Sequence, residues 1–125
     1  MERMYRGFKD LRVYQASYSL AMEMYFETKK FPSEERFSLT DQIRRSTRSI
    51  PANLAEGWKK RRYRKSFISK VIDCLGEAGE VEVWLDFARD CGYLDSGRHR
   101  HFFQGYEEVS KMLYGMIQNE AKFTF

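Results

Sequence analysis

Apolar residues recur at helical spacing along almost the whole chain. Leu11, Tyr14, Tyr18, Ala21, Tyr25 and Thr28 step by three and four and mark one face of a first helix. Phe31-Pro32 ends it, because proline restricts the residue before it. Ser38 with Asp41 resembles a capping box opening a second helix, whose stripe is Leu39, Ile43, Thr47, Ile50 and Leu54 and which runs toward Gly57. Pro51 lies inside that stripe, lacks an amide proton and crowds the carbonyl of Thr47; the pattern continues through it, which predicts a kink. A third helix from about Arg64 to Cys91 carries Phe67, Val71, Cys74, Ala78, Val81, Leu85 and Ala88, with Gly92 placed as its C-terminal cap. Asp95 is an N-cap for a fourth helix with Phe102, Tyr106, Val109, Leu113 and Met116 inside, fading near Asn119. Strand-like alternation is absent. The expected architecture is all-α: an antiparallel up-down-up-down four-helix bundle, with helix two kinked at the proline, in one domain over residues 1–125.

At 125 residues and 42% hydrophobic content, such a bundle can bury roughly two-thirds of its unfolded surface without metal or disulfide support. Cys74 and Cys91 form no CxxC pair, and the first fifteen residues hold Arg3, Arg6, Lys9 and Arg12 but no continuous apolar stretch. Reduced cysteines, no signal peptide and a cytoplasmic location are therefore expected. No apolar run approaches the roughly 20 residues of a membrane-spanning helix.

Charge changes the picture. Lys59-Lys60-Arg61-Arg62-Tyr63-Arg64-Lys65 puts six cations into seven residues, after a helical segment already holding Arg44, Arg45 and Arg48. From Arg44 to Lys70 ten Lys/Arg face the single acid Glu56, whereas the whole chain is only +4. Asp73, Glu77, Glu80, Glu82, Asp86 and Asp90 make the third helix acidic, with Arg89 opposing them. In an antiparallel bundle the Lys59 to Lys65 run shares a pole with the N-terminal cations, and the other pole collects Lys29, Lys30, Arg44, Arg45, Arg98 and Arg100. A basic face of this density suits a polyanion such as RNA or DNA.

Several strings are recognisable. Phe8-Lys9-Asp10-Leu11, Phe31-Pro32, Leu39-Thr40-Asp41-Gln42-Ile43-Arg44-Arg45, Ser49-Ile50-Pro51-Ala52-Asn53-Leu54-Ala55-Glu56-Gly57 and Gly92-Tyr93-Leu94 closely resemble the bacterial four-helix-bundle proteins encoded in 23S rRNA intervening sequences. The accessory variability protein of diversity-generating retroelements uses the same fold, as a basic pentamer that binds nucleic acid and a reverse transcriptase. The resemblance implies a homopentamer, nucleic-acid binding and a protein partner such as a reverse transcriptase. One departure is Gly76-Glu77, where the family has a Gly-Ser pair. If that surface meets a neighbouring subunit, the neighbour must supply a cation or room for water, because burying an unpaired carboxylate is costly.

Each feature also has a plainer reading. The Lys59 to Lys65 run can be solvated surface, and Tyr63 can stack on an unpaired base or cap the core. Arg44, Arg45 and Arg48 lie beside the core stripe and can meet phosphates or the Glu77 and Glu80 of another subunit. Pro51, Asn53, Glu56 and Gly57 read as architectural: the Asn53 amide could satisfy the carbonyl freed at Thr47, and Gly57 could give a tight helix exit. Gly76, Gly79, Gly105 and Gly115 mark expected close helix approaches.

Catalysis finds little support. Di-iron bundles need Glu-x-x-His pairs, and neither His99 nor His101 has a glutamate three residues before it. His99 and His101 point to different faces of a helix, so no metal site is expected. Asp73, Glu77 and Glu80 could cluster around Mg²⁺, but no nucleophile, Gly-rich phosphate loop or positioned histidine accompanies them. Neither a catalytic residue nor a cofactor is expected. Two readings remain: a non-catalytic nucleic-acid-binding oligomer, and a protein-interaction scaffold.

Overall fold

The computed structural model describes residues 5–125; Arg3 lies outside the described residues. Four helices make up most of the chain: α1 (Arg12–Thr28), α2 (Leu39–Lys59), α3 (Arg64–Asp90) and α4 (Ser96–Gln118). Short 3-10 turns over Phe8–Asp10, Ser33–Glu35 and Glu120–Lys122 complete it. The described residues contain no strand. Each helix packs on the next, and α1 also packs on α4, so the four enclose one core in a four-helix bundle. Opposite ends meet: Arg98 at the start of α4 pairs with Glu27 at the end of α1 (3.0 Å), and Arg64 at the start of α3 pairs with Glu120 beyond α4 (2.7 Å).

The stripes expected on α2, α3 and α4 are all buried. That of α1 is rotated. Leu11, Ala21 and Thr28 are buried, but the helix turns Val13, Ser17, Leu20 and Met24 inward and leaves Tyr18 53% exposed, with Tyr14 and Tyr25 half-buried. Branched and flexible side chains fill the narrow space against α4, where the Leu20 side chain already crowds Gly105. The tyrosines lie to one side, over α2.

Helix ends follow local chemistry. Gly92, at φ +82°, is the one described residue in the left-handed region, and it ends α3 in a Schellman motif: Tyr93 N–H donates to Ala88 C=O (2.9 Å) and Gly92 N–H to Arg89 C=O (3.0 Å). Asp95 caps α4 by accepting from Arg98 N–H at 2.7 Å. The Ser38–Asp41 capping box does not form. Ser38 instead donates its hydroxyl to Glu35 Oε1 (2.6 Å), and the same oxygen accepts the Leu39 amide (3.3 Å). Glu35 takes the role because the preceding 3-10 turn carries its carboxylate back over the first turn of α2. Its other oxygen accepts the Tyr93 hydroxyl at 2.9 Å.

Helix α2 is continuous through Pro51. Asn53 does not reach Thr47; it donates to the Ser49 carbonyl (2.9 Å) and hydroxyl (3.0 Å), the group one turn before it on its own face. Gly57 is not a helix exit, since α2 runs on to Lys59. It is a contact point, where an added Cβ would lie 3.0 Å from Lys70 Cβ. Of the four glycines expected at close approaches only Gly105 makes one, its Cβ position lying 2.8 Å from Leu20 Cδ2. Positions 76, 79 and 115 have open space.

Candidate nucleic-acid interface

The run that joins α2 to α3 sits where the N-terminal segment and the C-terminus meet, with Tyr5 packed on Trp58 (5.9 Å between rings) and on Phe123 (5.7 Å). Its six cations divide into two kinds. Lys60 pairs with Glu56 at 3.1 Å, and Arg64 pairs with Glu120 at 2.7 Å. Arg61 lies over the Trp58 ring (4.0 Å to the centroid) and near Phe125 (5.0 Å) while donating to the Trp58 carbonyl, so it satisfies the end of α2 and packs against the core. Lys59, Arg62 and Lys65 are exposed and pair with no carboxylate among the described residues. Tyr63, 67% exposed, stands among them and does not cap the core. Three cations and an exposed ring therefore face solvent together.

The second group lies toward the opposite end of the bundle, where α1 finishes and α2 begins. Arg44 and Arg48 converge on the Tyr25 ring of α1, at 4.8 and 5.6 Å from its centroid, and Lys29 approaches the same ring at 4.9 Å. Arg44 is held there by its Nε, which donates to Thr28 Oγ1 (2.8 Å). Arg45 turns the other way. It lies 4.0 Å from Asp41 and lines a polar cleft of about 230 Å³ between α2 and α3 with Gln42, Ser46, Ser49, Glu77 and Glu80. Sequence reading took Tyr25 for core and so missed the ring that gathers these cations. The competing stripe Val13, Ser17, Leu20 and Met24 was the available signal.

Glu77 and Glu80 face this intrachain cleft. Glu80 Oε1 accepts from Ser46 Oγ (3.3 Å) and from Trp84 Nε1 (3.2 Å). Burial, with Glu80 and Asp73 nearby, raises the Glu77 carboxyl above its usual range, against the pull of the Ser49 hydroxyl and Arg45. Glu56 is held below the usual range by hydrogen bonds from Lys60 and Lys70, the latter at 3.2 Å. Glu56 and Gly57 thus clasp α2 to α3.

Beside the cleft, Phe37, Leu39, Trp84, Phe87 and Cys91 line an apolar groove of about 420 Å³, in which Phe37 is 85% exposed. His99 and His101 serve the bundle: their Nε2 atoms lie 2.8 Å from Asp86 of α3 and 3.0 Å from Glu23 of α1. Among the described residues no three His, Cys, Asp or Glu side chains are grouped to hold a metal ion, and no helix is long and apolar enough to cross a membrane. Cys74 is buried, its thiol pushed up to about 12 chiefly by that burial, and Cys91 is exposed.

A search of curated proteins finds no match. Among solved structures, the chain is similar to a Bacteroides thetaiotaomicron protein of unknown function from the S23 ribosomal protein family. The two share 28% identity over 86% of this chain and 96% of that one, with a TM-score of 0.77. The family model for the 23S rRNA-intervening sequence protein matches residues 9–115, which include both cation groups and the Pro51 to Gly57 motif. The chain belongs to the 23S rRNA-intervening sequence protein family.

Proposed function

We propose that the protein is a non-catalytic, oligomeric nucleic-acid-binding protein that grips the phosphate backbone, RNA being the expected ligand. The observation that carries this reading is the exposed group Lys59, Arg62 and Lys65 around Tyr63, cations that no acid within the described chain neutralises. Such cations neutralise phosphates and thereby release the counterions condensed on the polyanion, which gives the binding its salt dependence. Membership of a family described by its link to 23S rRNA favours RNA over DNA. The test is titration of rRNA fragments and random duplex across a salt series, with wild type and a Lys59→Gln/Arg62→Gln/Lys65→Gln variant. Weaker, less salt-dependent binding by the variant supports the reading, and identical curves reject it.

Self-association is the second part of the proposal. The aromatic groove at Phe37, Trp84 and Phe87 adjoins the cleft holding Glu77 and Glu80, because Gln42 lines both and Glu80 accepts from Trp84. A neighbouring subunit covering this surface would remove large apolar side chains from water and meet the carboxylates with cations. The family resemblance gives the number as five. The same groove favours the alternative of a scaffold that docks a protein such as a reverse transcriptase, for which failure to bind any RNA or DNA would speak. A cytoplasmic location fits either reading.

A further inference from the structure

The tyrosines that α1 keeps out of the core line a groove of about 390 Å³ against α2, with Phe8, Tyr14, Tyr18, Met22, Arg48 and Pro51 in its walls. Its rings form a row: Phe8 meets Tyr14 at 5.0 Å, and Tyr14 meets Tyr18 at 5.9 Å. No carboxylate lines it. Arg48 links the groove, whose wall it lines, to the Tyr25 ring further toward the C-terminal end of α1, where Lys29 and Arg44 also gather. The nearby acids are engaged elsewhere, Glu27 with Lys30 and Arg98, and Asp41 with Arg45. Three like charges around one ring repel one another, and an anion placed among them relieves that repulsion. The Thr28 hydroxyl, itself donating to the Tyr25 carbonyl at 2.9 Å, holds Arg44 in position before any ligand arrives.

We propose that this groove takes unpaired bases of a single-stranded nucleic acid, their faces against Tyr14 and Tyr18, with the adjoining phosphates on Lys29, Arg44 and Arg48. The proposal rests on the nucleic-acid reading above and adds a second site to it, one with a preference. A base has a flat apolar face for an aromatic wall, and each base is joined to an anion, so a groove that is aromatic along its length and cationic at one end matches both halves of a nucleotide. From Tyr14 to Tyr25 the helix rises about 16 Å, room for a short run of nucleotides. A duplex keeps its bases stacked inside and offers the groove nothing to hold. The acidic α3 of a second copy could answer the three cations but brings no flat faces at a fixed spacing from its charges, whereas a single strand supplies base and phosphate together.

The test compares a single-stranded RNA containing 2-aminopurine with a duplex of the same sequence, using the full chain and four variants: Tyr18→Ala, Tyr18→Phe, Arg48→Gln and the Lys59/Arg62/Lys65→Gln triple. The expected result is that Tyr18→Ala loses about tenfold in single-strand affinity, together with the fluorescence quenching of a stacked base, and keeps duplex binding. Tyr18→Phe retains both, and Arg48→Gln weakens single-strand binding with a flatter salt dependence. Unchanged affinity and quenching in Tyr18→Ala overturn the groove, while the nucleic-acid reading survives if the triple variant still weakens binding. Wild type that binds neither RNA overturns both. If Tyr18→Ala instead dissociates an oligomer in sedimentation and the resulting species binds single strands as before, the groove belongs to a second copy and the proposal fails.

Discussion

Gly57 of α2 and Lys70 of α3 approach so closely that a Cβ on the glycine would lie 3.0 Å from the lysine's own Cβ. The lysine then reaches back, its ammonium 3.2 Å from Glu56 and 3.9 Å from Asp73. Because a Cβ is fixed to its backbone, relief at this contact requires the two helices to separate. Gly57→Ala is therefore expected to lower the melting temperature despite the better helix propensity of alanine. Gly76→Ala, in a helix interior with open space around it, should raise stability by up to about 1 kcal/mol. Thermal unfolding of the two variants decides between packing and propensity at each site.

Tyr106 is fully buried in α4, and its hydroxyl has no hydrogen-bond partner among the described residues. Burial, reinforced by Glu23, keeps that hydroxyl protonated far beyond the ordinary tyrosine range. Tyr106→Phe removes the unsatisfied group and preserves the ring, so it should stabilise the fold by about 1 kcal/mol in denaturant titration. A loss of stability would show that the hydroxyl has a partner.

The raised carboxyl of Glu77 gives a signed pH dependence. A folded-state value above the unfolded one means that the native state binds more protons between the two, so this group's contribution is full below the unfolded value and is lost as pH rises through the folded one. Glu77→Gln removes that loss. The variant should melt about a degree or two higher than wild type near pH 7, and the gap should close as the pH falls below the ordinary carboxylate range. Melting curves at several pH values give the answer.

The basic run predicts unequal salt responses. Lys59, Arg62 and Lys65 should each contribute about 0.9 for duplex, or about 0.7 for single strand, to the slope of log affinity against log salt, and their joint replacement should flatten it by about 2 to 3. Replacing Arg61 should act mainly on stability, since its guanidinium lies on Trp58. Binding titrations paired with melting curves separate the two effects.

Phe37 at 85% exposure, with Phe87 beside it, gives the self-association proposal its own check. Phe37→Ser with Phe87→Ser should shift sedimentation toward the 15.0 kDa monomer and leave the helical circular dichroism intact. A wild type already monomeric at micromolar concentration refutes the oligomer.

The sequence by itself determined the four helices, the inward faces of α2, α3 and α4, the caps at Gly92 and Asp95, and the concentration of charge, because each follows from spacing within one helix or from the conformation of one residue. Tertiary structure decided what depends on two segments far apart in the chain. For α1, two apolar stripes were on offer, and the space left by Gly105 and its neighbours selected Val13, Leu20 and Met24 over the tyrosines. The same choice created the groove and brought Tyr25 to Arg44. In the basic run, identical residue types took different roles according to what lay across the bundle: Glu120 captured Arg64, Trp58 and Phe125 held Arg61, and Lys59, Arg62 and Lys65 were left to solvent. Helical periodicity records how a segment can turn, whereas partners are set by distance in space, which a single helix does not encode.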